Sequence, residues 1–192
     1  MRLIALLLVA SVALSSPPPQ SFYKNPGATS YFIDTAIEWR SVHDGSPQEL
    51  ATAHGPVAGH TTILGFYASG ALAVVSGYFE YHPKTKTFAF VPSQGSTVYL
   101  GKWRRTAPGQ LEVEQRFAYS QLPATAAEPV TTSTWSVSKH NNGTVTSVES
   151  PMKNASAPRH YVAVGKLRNP QELVNTIKRA DKELSQHLSS PR

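Results

Sequence analysis

Cysteine is absent from the 192 residues of this chain. A disulfide framework, a thiolate metal site, a cysteine nucleophile and a cysteine-linked lipid anchor are all excluded with it. A chain of this length can do without staples, because a single core can bury enough apolar surface to hold one domain. Aspartate is scarce as well, at Asp34, Asp44 and Asp181, which leaves few carboxylate pairs for acid and base work. Neither Gly-x-Ser-x-Gly nor His-Glu-x-x-His occurs, so no recognised hydrolytic nucleophile or zinc pair is supplied. Glu112 and Glu114 fall on the polar side of a strand, where solvated side chains are the plain reading. The expectation is a protein that is not an enzyme and carries no cofactor.

Dense charge is lacking too. The net charge of +6 falls by one, to +5, if Arg2 is removed with an export signal. The basic residues are scattered as Lys84/Lys86, Lys102/Arg104/Arg105, Arg159/Lys166/Arg168 and Lys178/Arg179/Lys182, without the aromatic-basic pattern of a nucleic-acid binder. His43, Asp44, His54 and His60 stand near one another, but their spacing matches no standard ligand pair and Gly55-Pro56 prevents a helix from aligning them. No metal site is expected from them.

What is present begins with Met1-Arg2, an apolar run from Leu3 to Leu14, and Ser15-Ser16 ahead of Pro17-Pro18-Pro19. This is the pattern of a secretory signal, with cleavage between residues 13 and 16. The run falls short of the ~20 residues a spanning helix needs, so residues 1–16 are expected to be a signal peptide, the mature chain to carry no transmembrane span, and the protein to be secreted or periplasmic. Residues 17–30 are rich in Pro, Ser, Gly and Asn and read as a flexible leader. Residues 31–192 then form a single β domain with a C-terminal helix. Two sequons, Asn142-Gly143-Thr144 and Asn154-Ala155-Ser156, would matter only in a eukaryotic secretory route.

From Tyr31 to Val42 the chain alternates, with Ile33, Thr35, Ile37 and Trp39 on one face and Asp34, Ala36, Glu38 and Arg40 on the other. That predicts a first strand. Ser46-Pro47-Gln48-Glu49 has the form of a capping box and predicts a short helix ending before Gly55-Pro56. Five β-rich runs follow: 61–67, 71–81, 87–91, 97–104 and 110–120, separated by Ser69-Gly70, His82-Pro83-Lys84, Ser93-Gln94-Gly95 and Pro108-Gly109. In the last run Leu111, Val113, Gln115, Phe117 and Tyr119 face one way, opposite a wet face. Residues 71–81 are apolar on both faces, which predicts a strand with something dry on each side. Further strands are expected at 131–138 and 144–148 around a tight turn at His140-Asn141-Asn142-Gly143, and at 160–164. Asn169-Pro170-Gln171-Glu172 repeats the capping pattern, and Leu173, Ile177, Ala180, Leu184 and Leu188 recur at helical spacing against Lys178, Asp181, Lys182 and Glu183.

Some nine β runs, a helix after the first strand and a helix near the end are the order of parts in a calycin-type, lipocalin-like barrel. Over roughly residues 60–120 the chain resembles exported bacterial lipocalin-like proteins, through Phe66-Tyr67-Ala68-Ser69-Gly70 leading into Gly77-Tyr78-Phe79 and later Gly101-Lys102-Trp103. The resemblance implies a mainly β fold, an antiparallel meander closed as a lipocalin-like barrel or opened as a related sandwich.

A barrel of about eight strands can be filled by side chains or can hold one small ligand. The expected function is binding of an apolar or amphipathic small molecule, with Leu72, Val74, Tyr78, Phe79, Trp103, Phe117 and Trp135 as candidate lining residues. The alternative is an envelope-associated structural or protein-interaction module, or a domain with no ligand. A solvent-open apolar cavity would favour the first and a filled interior the second.

Overall fold

The computed structural model describes residues 30–35, 37–120, 130–139, 145–151, 158–164 and 166–189. The signal, most of the leader and the turn at His140–Gly143 lie outside the described residues. In chain order the elements are β1 (Ser30–Asp34), β2 (Trp39–Ser41), β3 (Pro47–Gln48), β4 (Val57–Phe66), β5 (Ala71–His82), β6 (Thr87–Ala107), β7 (Gln110–Ser120), β8 (Thr131–Lys139), β9 (Val145–Ser150), β10 (Arg159–Ala163), β11 (Lys166–Leu167) and α1 (Pro170–Ser189). The protein is mainly β, and α1 is the single helix among the described residues.

Short connections pair β4 through β7 as a meander, and β8, β9, β10 and β1 continue the same sheet. β1 also pairs with β4, from Ser30↔Phe66 to Ile33↔Ile63, so that eight antiparallel strands close into a ring. β8 and β9 pair antiparallel on either side of the predicted turn, with Val137 opposite Val148.

β4, β5 and β6 are longer than the ring needs. The far ends of β4 and β5, together with the first half of β6, form an extension flanked by β2 and β3 on one side and by β11 on the other. The break predicted at Ser93-Gln94-Gly95 is a bulge instead of a chain reversal. Gly77 pairs with Ser96 and the next residue, Tyr78, with Val91, so β6 continues beyond four looped-out residues, and Gly95 takes a φ of 86° that favours glycine.

The short helix expected after the first strand is not formed. Ser46 turns back on Asp44 through its amide (3.0 Å) and hydroxyl (2.7 Å), and that hydroxyl accepts from the Gln48 side-chain amide at 3.2 Å instead of from a helical backbone N–H. Pro47 and Gln48 pair with Arg40 and Trp39 as β3, and what remains before Gly55 is a single turn closed by Thr52 N–H donating to Glu49 C=O at 3.2 Å. So few residues cannot sustain a helix without packing partners. The first strand is likewise interrupted between Asp34 and Trp39. Asp34, on the strand face opposite Ile33, is buried, with its backbone carbonyl accepting from Thr61 Oγ1 at 3.0 Å.

Because successive strand residues face opposite ways, the ring has two apolar faces. The inner face gathers Phe32, Leu64, Phe66, Leu72, Val74, Leu111, Val113, Trp135, Val148 and Tyr161, with Tyr99, Trp103 and Val137 packed against them; all eight ring strands contribute. The outer face gathers Ile33, Ile63, Ala73, Val75, Phe79, Phe90, Val98 and Leu100 under α1, whose Leu173, Ile177, Ala180 and Leu184 complete that cluster. This explains the doubly apolar β5: Leu72 and Val74 face the ring interior, and Ala73, Val75 and Phe79 face the helix. The predicted wet face of β7 holds at one end, where Glu112 accepts from Arg104 at 2.7 Å, but a register shift at Val98/Tyr99 accompanies Ala118 being buried in the helix-side cluster.

Asn169 sets where the helix begins. Its side-chain carbonyl accepts from Phe90 N–H at 2.9 Å and its amide donates to Phe90 C=O at 2.7 Å, as one more strand residue beyond β11 would. The expected side-chain cap is thus spent on the sheet edge, and Pro170 opens the helix where a missing N–H costs nothing.

Candidate ligand cavity

The ring interior is organised by rings packed edge to face. Phe66 meets Phe32 at 5.7 Å and 89°, Trp103 at 5.6 Å and 85°, and Trp135 at 6.2 Å and 82°, while Trp135 stacks on Tyr161 at 6.3 Å. Such pairs contribute about 0.5–1.5 kcal/mol each beyond the area they bury. The indole donors are satisfied locally: Trp103 Nε1 donates to Tyr67 C=O at 3.0 Å and Trp135 Nε1 to Ser133 Oγ at 2.8 Å. Trp103 N–H donates to Gly70 C=O at 2.8 Å. The turn at Phe66–Gly70 and the Gly101-Lys102-Trp103 segment are therefore bonded to each other, which gives two separate sequence motifs one structural purpose.

Phe66 lines a chamber at one end of the ring and Trp135 a chamber at the other, so their contact forms a septum. The chamber on the Phe66 side has a volume of about 270 Å³. Its walls are Phe32, Phe66, Trp103, Leu111, Val137 and Val148, with Ser30, Ala68 and Arg105 also lining it. Arg105 and Ala68 are exposed. The volume lies at the lower edge of the ~300–1,000 Å³ of small-molecule pockets, and its one cation suits a molecule with an apolar body and an acidic or polar end.

The opposite chamber, about 310 Å³, is more polar, with Thr62, Ser76, Tyr99, Gln115, Arg159 and Tyr161 among its walls. Thr62 and Ser76 share a hydroxyl hydrogen bond of 2.7 Å. Gln115 Oε1 is buried without a hydrogen-bond partner among the described residues. The buried Asp34 carboxylate lies 3.6 Å from Arg159 Nη1. Burial pushes the Tyr161 hydroxyl above the ordinary phenol range, and the nearby Asp34 charge adds to the effect.

Of the predicted lining residues, Leu72, Val74, Trp103 and Trp135 meet in the ring interior. Phe79 is fully buried on the other face, tilted against Phe90 at 5.1 Å beneath the helix. Tyr78 is half-buried opposite His60 and belongs to neither apolar cluster. The Phe117 backbone pairs with Tyr99, and its side chain lies outside the described residues. Sequence reasoning missed Phe32, Phe66, Arg105, Leu111, Val148 and Tyr161. Leu111 was legible from the alternation of β7, whereas Phe32 and Tyr161 come into the site through ring closure.

Comparison with known proteins gives no matching family model, curated protein or solved structure. The site must be read from its own geometry.

Two further concavities lie outside the ring. A groove of about 830 Å³ runs between Leu50 and the β3 region on one side and Trp39, Tyr81, Phe88 and Val162 on the other. A cleft of about 620 Å³ separates the β3–β4 connection from the β5–β6 turn and β11. Among the described residues no helix is long and apolar enough to cross a membrane.

Proposed function

We propose that this is an exported, lipocalin-like barrel protein that binds a small apolar or amphipathic molecule non-covalently, without enzymatic activity or cofactor. The observation that carries the reading is the 270 Å³ chamber, apolar on its walls, with Arg105 among its lining residues. A chamber of that size suits a single acyl chain or a molecule of one to three rings better than a bulky polycycle. Export rests on the apolar run from Leu3 to Leu14 followed by Ser15-Ser16.

The experiment is titration with the anionic dye anilinonaphthalene sulfonate, followed by dye emission and Trp103 quenching. Binding should saturate at one dye per chain. Ala68→Trp, which adds an indole to the exposed side of the chamber without touching the interior rings, should weaken it about tenfold or more, and Arg105→Gln should weaken a neutral analogue less than the sulfonate. Absence of saturable binding, or binding indifferent to Ala68→Trp, overturns the reading.

A second reading has its own support. The aromatic septum fills the middle of the ring, and the larger 830 Å³ groove lies outside it, beside β3 at the end of the strand order. A strand edge next to an apolar groove is the geometry of a protein-interaction module. Dye binding abolished by Leu50→Asp but unaffected by Ala68→Trp would favour it.

A further inference from the structure

The 620 Å³ cleft belongs to neither reading. Five basic or imidazole side chains line it from three separate segments: His54 from the β3–β4 connection, His82 at the end of β5 with Lys84 in the turn after it, and Lys166 and Arg168 from β11 and the residue after it. No carboxylate is part of its wall. Glu80, whose carboxylate lies 3.6 Å from His82 Nε2, is not a lining residue.

We propose that this cleft binds a phosphate- or sulfate-type oxyanion. Lys84, Lys166 and Arg168, all exposed, line a concave site with no acid in its wall, an arrangement that focuses positive potential where an anion would sit. The donors are varied in the way an oxyanion requires. Arg168 Nη1 lies 2.9 Å from His82 Nε2, which positions the guanidinium and leaves its other N–H groups for a ligand. Thr85 and Thr87 line the same cleft with their hydroxyls 2.7 Å apart, a bond that uses one of their two protons and leaves at most one hydroxyl donor for a ligand beside the lysines. The frame is fixed from the backbone: Arg168 N–H donates to Phe88 C=O at 2.7 Å, and Thr85 N–H closes the turn on His82 C=O at 3.2 Å. A guanidinium fork held this way recognises two oxygens of a tetrahedral anion at once, which a lone lysine does not.

A free phosphorylated solute and an anionic lipid headgroup present the same chemistry, and the test separates them. Calorimetric titration of the purified protein with pyrophosphate at low ionic strength is run beside co-sedimentation with phosphatidylcholine vesicles containing phosphatidylglycerol. Arg168→Gln and Lys166→Gln are compared with Lys102→Gln, a cation on β6 outside the cleft, and helical circular dichroism checks that each variant is folded. Loss of one charge-assisted contact weakens binding by about tenfold or more, so both cleft variants should bind pyrophosphate at least that much more weakly while Lys102→Gln binds as the parent does. If vesicles bind with the same dependence and pyrophosphate does not, the oxyanion is a lipid headgroup and the proposal stands. If neither binds, or if Lys102→Gln weakens binding as much as Arg168→Gln, the cleft is a solvated basic surface and the proposal fails.

Discussion

At the scale of single residues, Asp44 shows how a fully solvated side chain can be set by local bonding. The backbone N–H of Ser46 is the largest influence, followed by the Ser46 and Ser41 hydroxyls, and together they hold the Asp44 carboxyl down at about 2, against an ordinary 3.8. Because the folded value is lower than the unfolded one, the stabilising effect is present above pH ~3.8 and disappears as pH falls towards 2. Carboxyl NMR should give an Asp44 midpoint near 2; a midpoint near 3.8 would mean that the Ser46 bonds are not formed in solution. Gly101 is constrained by space instead of charge. A β-carbon there would sit 1.8 Å from Glu114 O and 2.8 Å from Gln115 Cα, both backbone atoms of the paired strand. Gly101→Ala should therefore cost about 3 kcal/mol or more, whereas Gly55→Ala, with open space around the position, should stay within about 0.5 kcal/mol. Urea midpoints for the two variants check this, and equal midpoints would contradict the strand spacing at Gly101.

Among the elements, α1 is the part most legible in the sequence, since the 3.6-residue period of Leu173, Ile177, Ala180 and Leu184 is local information and survives intact in the helix-side cluster. Ile177 is 1% exposed, so Ile177→Ala should cost ~2–5 kcal/mol in urea unfolding followed by circular dichroism. A loss below about 0.5 kcal/mol would mean that the helix does not dock. The anchoring of its first turn was not legible. The Asn169 side chain bonds Phe90, 79 residues away in sequence, and a pattern that resembles a cap does not disclose a distant sheet edge. Asn169→Ala leaves the Phe90 N–H and C=O without that partner and should cost about 1–3 kcal/mol. The same limit explains the misread segments. Ser46-Pro47-Gln48-Glu49 carries helix-start chemistry, but Ser46 is engaged by Asp44 and its neighbours are recruited by β2. Ser93-Gln94-Gly95 carries turn chemistry, but strand pairing on either side of it keeps β6 running.

For the whole molecule, the decisive event is the pairing of β1 with β4, because it converts a meander into a ring and gives the alternating residues of eight strands a common interior. Leu72, Val74, Trp103 and Trp135 could be nominated from the sequence as apolar or aromatic strand residues. That Phe79 faces away from Leu72 and Val74 follows from alternation along β5, but which of the two faces becomes the ring interior depends on a closure no local pattern encodes. The interior that results is divided by the Phe66–Trp135 contact into an apolar and a polar chamber, and the central claim is that the apolar chamber receives a small molecule. Methyl-resolved NMR during titration with dodecanoate tests this most directly. Saturable shifts are expected at Leu111, Val137 and Val148 at one dodecanoate per chain, with Leu173 and Ile177 on the buried face of α1 unmoved. Shifts confined to Leu50 and Val162 in the outer groove, or no saturable shift at any methyl, would contradict it.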